Sequence, residues 1–157
     1  MLERKALVLV LTAVLLVVAG CSTATNEEPP ADEMSGSDAT ITDIVWQWQG
    51  TVTPVEEITV DDPTRYTLTL LSDGTAAINA DCNAASTTYQ LDGQSITIDE
   101  PMAMTMAFCC EDSLSDEFVR QVGVAAITFM DGDDLMIDLF ADSGTMRFAN
   151  GGPAEAE

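Results

Sequence analysis

The sequence contains no histidine, and its only lysine is Lys5, close to the amino terminus. A chain without these side chains further along cannot build a Ser-His-Asp or Cys-His nucleophile, a Schiff-base lysine or a histidine-ligated zinc site. Paired carboxylates can still hydrolyse a glycoside, but among 27 acidic residues no pair stands out. We therefore expect a protein that is not an enzyme and that uses no cofactor.

Basic residues are also scarce. The chain has 5 lysines and arginines against 27 acidic residues, which gives a net charge of −22. Beyond residue 21 the basic residues are Arg65, Arg120 and Arg147. Such a surface repels nucleic acid and anionic lipid head groups, so no nucleic-acid partner is expected. No acidic cluster has the spacing of a calcium-binding loop, which favours a solvated acidic surface.

A hydrophobic run long enough to span a membrane is missing as well. Ala6–Ala19 is apolar apart from one threonine, but these 14 residues rise only about 21 Å as a helix, against a bilayer core of about 30 Å. Arg4 and Lys5 precede the run, and Val18-Ala19-Gly20-Cys21 ends it. This layout is typical of a bacterial lipoprotein signal. It predicts removal of residues 1–20 and lipidation of Cys21.

The predicted signal divides the rest of the chain. Residues 21–40 are acidic, rich in Ser, Thr and Pro, and lack an aliphatic run, which predicts a flexible tether. Residues 41–150 form the predicted domain, and residues 151–157 a disordered tail. The expected location is the cell membrane or the outer membrane, on its extracytoplasmic face, with the lipid anchor as the membrane contact.

Within residues 41–150, apolar and polar residues alternate in short segments that are separated by Asp-Gly and Ser-Gly turns. The segments begin at Ile44, Tyr66, Ile96, Met102, Ile127, Leu135 and Met146. About eight strands at this spacing predict a mostly β (α+β) domain, either a compact antiparallel sheet or a barrel. Leu114, Phe118 and Val122 instead recur every four residues after Ser113, which predicts one short helix with Ser113 as its N-cap.

Four motifs in this order resemble the META/HslJ domain family. They are Trp46-Gln47-Trp48, Ser72-Asp73-Gly74, Ala80-Asp81-Cys82-Asn83 followed by Tyr89, and Thr105-Met106-Ala107-Phe108-Cys109. The resemblance covers essentially the whole domain. It implies a compact β domain with one helix, and a link to stress tolerance and envelope function without a known reaction.

The resemblance also implies a disulfide between Cys82 and Cys109, which an oxidising compartment favours. Because neighbouring strand residues point to opposite faces, only one of Cys109 and Cys110 can face Cys82. Cys110 is the alternative partner, and a strained bridge between Cys109 and Cys110 is a third arrangement. The remaining thiol is either a small buried side chain or a reactive site.

The methionines at alternate positions next to these cysteines allow two interpretations. Met102, Met104 and Met106 on one strand face favour a core lining, because thioethers fill irregular gaps. Together with Cys110 they also offer soft ligands for Cu(I).

From the whole sequence we expect a monomeric, non-catalytic binding module with an envelope protein as partner. The alternatives are a Cu(I)-binding protein and an inhibitor of extracellular proteases.

Overall fold

The alternating segments form an antiparallel β-barrel in the computed structural model, which describes residues 41–155. The strands in these residues are β1 (Ile44–Val52), β2 (Glu57–Thr59), β3 (Tyr66–Leu70), β4 (Thr75–Ala80), β5 (Asn83–Asp92), β6 (Ser95–Ile98), β7 (Ala103–Met104), β8 (Ala125–Asp131), β9 (Asp134–Leu139) and β10 (Thr145–Pro153). One α-helix, α1 (Ser115–Gly123), lies between β7 and β8. The prediction of a mostly β, barrel-like domain with one short helix is confirmed.

Eight of these strands close the barrel. They run in the order β1-β3-β4-β5-β6-β8-β9-β10, and β10 pairs again with β1. β2 pairs with the end of β1, and β7 adds two residues to β5. The seam between β1 and β10 runs from Ile44 opposite Pro153 to Val52 opposite Thr145. The first and last strands of the described chain therefore lie side by side.

The pairing of β10 with β1 moves one predicted boundary. β10 extends to Pro153, three residues beyond the predicted domain end at residue 150. Residues 151–153, which we assigned to a disordered tail, are therefore part of a strand. They are ordered because they complete the seam with β1.

The predicted signal peptide, the lipidation site Cys21 and the tether of residues 21–40 lie outside the described residues. Between residues 41 and 155, no helix has both the length and the apolar character that a membrane span requires.

The barrel interior is filled by the inward-facing residues of the alternating segments. Trp46 and Trp48 of β1 are fully buried. The inward-facing residues of β3, β9 and β10 that are also fully buried are Leu68, Leu70, Leu135, Ile137, Met146 and Phe148. Phe118 of α1 stacks on Trp48, with ring centroids 4.9 Å apart and ring planes inclined by 22°. It also contacts Tyr66 and Phe148. The helix is therefore held by one aromatic side chain that enters the cluster of the barrel.

A line of hydrogen bonds connects the same cluster to the helix surface. The indole Nε1 of Trp48 donates to Thr51 Oγ1 at 3.1 Å, and the Thr51 hydroxyl donates to Gln121 Oε1 at 2.5 Å. Gln121 Nε2 then donates to Glu117 Oε1 at 2.6 Å. The buried polar groups of Thr51 and Gln121 are thus paired, which avoids the cost of burying them unpaired.

The start of α1 differs from the prediction. The helix begins at Ser115, and Leu114 is its N-cap without a side-chain hydrogen bond. The phenolic oxygen of Tyr66 accepts the Leu114 N–H at 3.0 Å instead. The Ser113 hydroxyl, the predicted N-cap group, accepts the Ser115 N–H at 3.3 Å from one position before the cap and donates to Asp81 Oδ2 at 2.6 Å.

Candidate functional site

The methionine segment leaves the barrel after two strand residues. β7 comprises only Ala103–Met104. Met104 packs partly against the core, whereas the exposed fraction is 85% for Met106 and 106% for Phe108. The expectation of one strand with Met102, Met104 and Met106 lining the core is therefore wrong beyond Met104. We call residues 105–110, which follow β7, the braced loop.

The side chain of Asn83 provides the first brace. This residue lies at the start of β5 and is 5% exposed. Its Oδ1 accepts the Ala107 N–H at 2.8 Å, and its Nδ2 donates to the Ala107 carbonyl at 3.3 Å. The amide thus bonds both backbone groups of Ala107, as a neighbouring strand would. Thr105 adds a second contact, since its Oγ1 accepts the Ala84 N–H at 2.9 Å.

A disulfide provides the second brace. Cys82, in the turn between β4 and β5, is bonded to Cys109, with the two Cα atoms 5.6 Å apart. This is the pairing that the family resemblance implied. Cys110 is a free, exposed thiol. The braces come from two adjacent residues, Cys82 and Asn83, and they hold the loop at residues 107 and 109.

A third set of contacts fixes the turn that carries Cys82. Asp81 adopts a positive φ of 62°, which aspartate tolerates better than most residues. Arg65 donates through Nε to Asp81 Oδ1 at 2.8 Å, and its Nη2 bonds the same oxygen. Arg65 Nη2 also lies 3.8 Å from the Cys110 sulfur. The turn, the loop and the start of the helix segment at Ser113 are therefore connected through one carboxylate.

These contacts change the titration of Asp81. Its side chain is only 7% exposed. The hydrogen bond from Ser113, and secondarily the Arg65 guanidinium, holds the pKa of Asp81 below its ordinary value, although burial acts in the opposite direction. The hydrogen bond with Asp81 raises the pKa of Arg65. Asp81 is therefore an ionised anchor at neutral pH, and its partners favour a structural role over proton transfer.

Beside the braced loop lies an open cleft of about 410 Å³. Its walls combine apolar, sulfur-bearing and polar side chains from the loop and the start of α1. They include Met104, Met106, Phe108, Cys110, Glu111 and Asp116. Met102 lies outside this cleft and lines a separate hollow with Val119 and Arg120. Two of the three predicted methionine ligands and Cys110 therefore share one surface, and the third does not.

Sequence reasoning found part of this site. Cys82, Cys109 and Asn83 all lie in the motifs that carry the family resemblance. Arg65 was missed, because a single arginine at the end of a short 3₁₀ helix, Pro63–Arg65, has no periodicity or motif spacing. Its rarity was the available signal: it is one of three basic residues in residues 41–155, and all three form ion pairs there.

The fold and the site together define a class: small antiparallel β-barrels with one inserted helix and a cysteine-linked loop. The model of the META domain family matches residues 39–151, which is most of the chain. The chain belongs to the META domain family, as its motifs predicted. No curated protein matches the sequence significantly.

Two solved structures share the fold. The NMR structure of a protein from Burkholderia xenovorans is similar with a TM-score of 0.61 and 16% identity, over 73% of this chain and 86% of that one. The crystal structure of a DUF4847 family protein from Bacteroides vulgatus is similar with a TM-score of 0.55 and 15% identity, over 73% of this chain and 96% of that one. At these identities the likeness establishes the barrel fold only.

Proposed function

We propose that this protein is a membrane-anchored, extracytoplasmic, non-catalytic binding module, and that the braced loop and its cleft form the binding surface. The observation that carries the proposal is the exposure of Phe108 and Met106 on a loop that is fixed at Ala107 and Cys109. Large apolar side chains held rigidly in water are typical of an interaction site. An envelope protein is the expected partner, and the complex would serve envelope maintenance or stress tolerance.

The binding role can be tested by site-specific photocrosslinking in intact envelopes. A photoreactive phenylalanine analogue is placed at Phe108 in one strain and at Val55 in another. Val55 is the matched control, because it is also apolar and 88% exposed but lies on the loop between β1 and β2. We expect a discrete adduct from position 108 and none from position 55. Identical adduct patterns, or none at either position, would contradict the proposal.

The anchor is supported by the Val18-Ala19-Gly20-Cys21 sequence and is tested separately. We expect mass spectrometry of the mature, unreduced protein to show an acylated Cys21 as the first residue. Cys21→Ser should release the protein from the membrane fraction. An unmodified Cys21 in a membrane-bound protein would exclude the lipoprotein interpretation.

A second candidate function, Cu(I) binding, is favoured by the shared position of Met104, Met106 and Cys110 at the cleft. Thioether and thiolate sulfurs are preferred Cu(I) ligands. Titration of the disulfide-bonded protein with Cu(I) in the presence of a micromolar chelator tests this function. Met106→Leu should weaken binding, whereas Met102→Leu is the matched control and should not. Failure of the protein to compete with the chelator removes this candidate.

A further inference from the structure

Alternate residues of the braced loop are bonded to the barrel, and the residues between them are not. The Thr105 N–H donates to the Ala84 carbonyl at 3.0 Å, and Ala107 is bonded through both backbone groups to Asn83. Within the part of the chain that the structure describes, the backbone groups of Met106 and Phe108 have no hydrogen-bond partner. The chain makes no turn or bend between residues 105 and 110. It is therefore extended, with unpaired main-chain groups at alternate positions.

An extended segment of this kind has the form of a protease substrate. Serine proteases bind peptides as an added strand, through main-chain hydrogen bonds, and choose them by the side chain that enters the specificity pocket. Phe108 is the most exposed large apolar residue in the described chain, at 106%. An apolar specificity pocket of the chymotrypsin type accepts such a side chain.

We propose that the braced loop inhibits a serine protease with an apolar specificity pocket, and that Phe108 enters this pocket. The proposal rests on the binding role proposed above and names the chemistry of the partner. The bond presented to the protease is the peptide bond between Phe108 and Cys109. Rigidity of the free loop favours tight binding, because less conformational entropy is lost when the complex forms.

The two braces explain why the loop inhibits instead of being consumed. Hydrolysis of the Phe108–Cys109 bond consumes one water and leaves a carboxyl group on Phe108 and an amine on Cys109. The first end stays attached through Ala107 to Asn83, and the second through the disulfide to Cys82. Because Cys82 and Asn83 are adjacent, the new ends stay near each other. Resynthesis, which releases the water, competes with product loss.

Acidic residues that follow the braced loop restrict the class of protease further. Glu111 and Asp112, both exposed, follow the braced loop directly. They would lie on the leaving-group side of the protease cleft. Complementary charge raises the association rate and the specificity of a complex. The inferred partner is therefore a protease with a positively charged rim on that side.

The test measures steady-state inhibition by the full chain, purified in detergent with its disulfide intact. We expect slow-dissociating, competitive inhibition of chymotrypsin and no inhibition of trypsin. Phe108→Ala should weaken chymotrypsin inhibition about 100-fold or more, as expected for a central anchor residue. Phe108→Lys should transfer the inhibition to trypsin, whose pocket is acidic. Val55→Ala is the control and should inhibit as the unchanged chain does.

Three results would overturn the inference: no effect on a panel of proteases with apolar pockets, equal inhibition by the Phe108→Ala variant, or rapid cleavage after Phe108 with recovery of protease activity. Circular dichroism of each variant distinguishes loss of fold from loss of contact. The crosslinking experiment above separates the two proposals. An adduct at position 108 without protease inhibition retains the binding role and removes the inhibitory one.

Discussion

Two phenylalanines ten positions apart behave in opposite ways in this barrel. Phe118 of α1 is fully buried and contacts Trp48, Tyr66 and Phe148. Phe108 of the braced loop is fully exposed, although the loop is fixed to the barrel by a disulfide and by Asn83. The same side chain thus stabilises the fold at one position and remains available for contact at the other.

The difference shows that a segment can be rigid without being buried. α1 is held through apolar area that is removed from water, which stabilises a protein by about 25 cal/mol per Å². The braced loop is held by the disulfide of Cys109 and by hydrogen bonds to the backbone of Ala107, which leave the side chains of Met106 and Phe108 free. The following changes test this contrast, from the largest expected effect to the smallest.

Phe118→Ala should have the largest effect on stability. It removes the aromatic ring that joins the helix to the barrel and leaves a cavity, so the free energy of unfolding should fall by about 3–5 kcal/mol. Phe108→Ala is the matched control and should change it by less than about 0.5 kcal/mol, as expected for a surface position. Urea denaturation of both variants provides the measurement. Equal losses would show that Phe108 also packs in solution.

Replacing both Cys82 and Cys109 by serine should have the next largest effect. The disulfide joins residues 27 positions apart. Its loss raises the conformational entropy of the unfolded chain, which lowers the free energy of unfolding by about 3–4 kcal/mol in the chain-entropy model. Cys110→Ser is the control, and it should leave the unfolding midpoint nearly unchanged because that thiol is free and exposed. Thermal unfolding under non-reducing conditions tests this prediction. A large loss with Cys110→Ser would point to a different connectivity.

Asn83→Ala should have a smaller effect on stability and a local effect on the loop. The variant loses the bonds to both backbone groups of Ala107, and we expect a loss of about 1–3 kcal/mol. Hydrogen exchange at the Ala107 amide should accelerate more than exchange in the barrel strands. Asn83→Asp retains the acceptor and loses the donor. Its exchange rate at the Ala107 amide should therefore lie between those of the unchanged chain and Asn83→Ala. Unchanged exchange in Asn83→Ala would show that the disulfide alone fixes the loop.

The Asp81 carboxylate should give the smallest effect, and one that depends on pH. Because Ser113 and Arg65 keep its folded pKa below the ordinary value of 3.8, the stabilisation is fully present above that pH. It is lost as the pH falls through the lower folded value. The difference in unfolding free energy between the unchanged chain and Asp81→Asn should therefore be constant near neutral pH and shrink below 3.8. A constant difference down to pH 2 would contradict this assignment.

The barrel could be predicted because its strands carry their own signal. Trp46 and Trp48, Leu68 and Leu70, and Leu135 and Ile137 repeat with a period of two, and all six are buried. The helix followed from the spacing of Phe118 and its neighbours in the same way. In these segments the apolar pattern and the hydrogen-bond pattern agree, so either one indicates the element.

The braced loop could not be predicted, because there the two patterns disagree. Met102, Met104, Met106 and Phe108 alternate as a strand would, yet the last main-chain hydrogen bond to β5 is the one from the Thr105 N–H to the Ala84 carbonyl. Beyond that point the side chains of Thr105 and Asn83 replace the strand partner. Periodicity reports which residues are apolar. It does not report whether a neighbouring strand or a single amide side chain holds the backbone.

The seam between β1 and β10 has a consequence for how the chain folds. It joins Ile44 to Pro153, the most distant strand residues in the described sequence, so the barrel cannot close until almost the whole domain has been synthesised. Folds dominated by such non-local pairs fold slowly, because a long loop must be ordered before its contacts form. During that interval β1 is an open edge with two tryptophans beside it. The growing chain therefore passes through a stage in which association with other chains competes with closure.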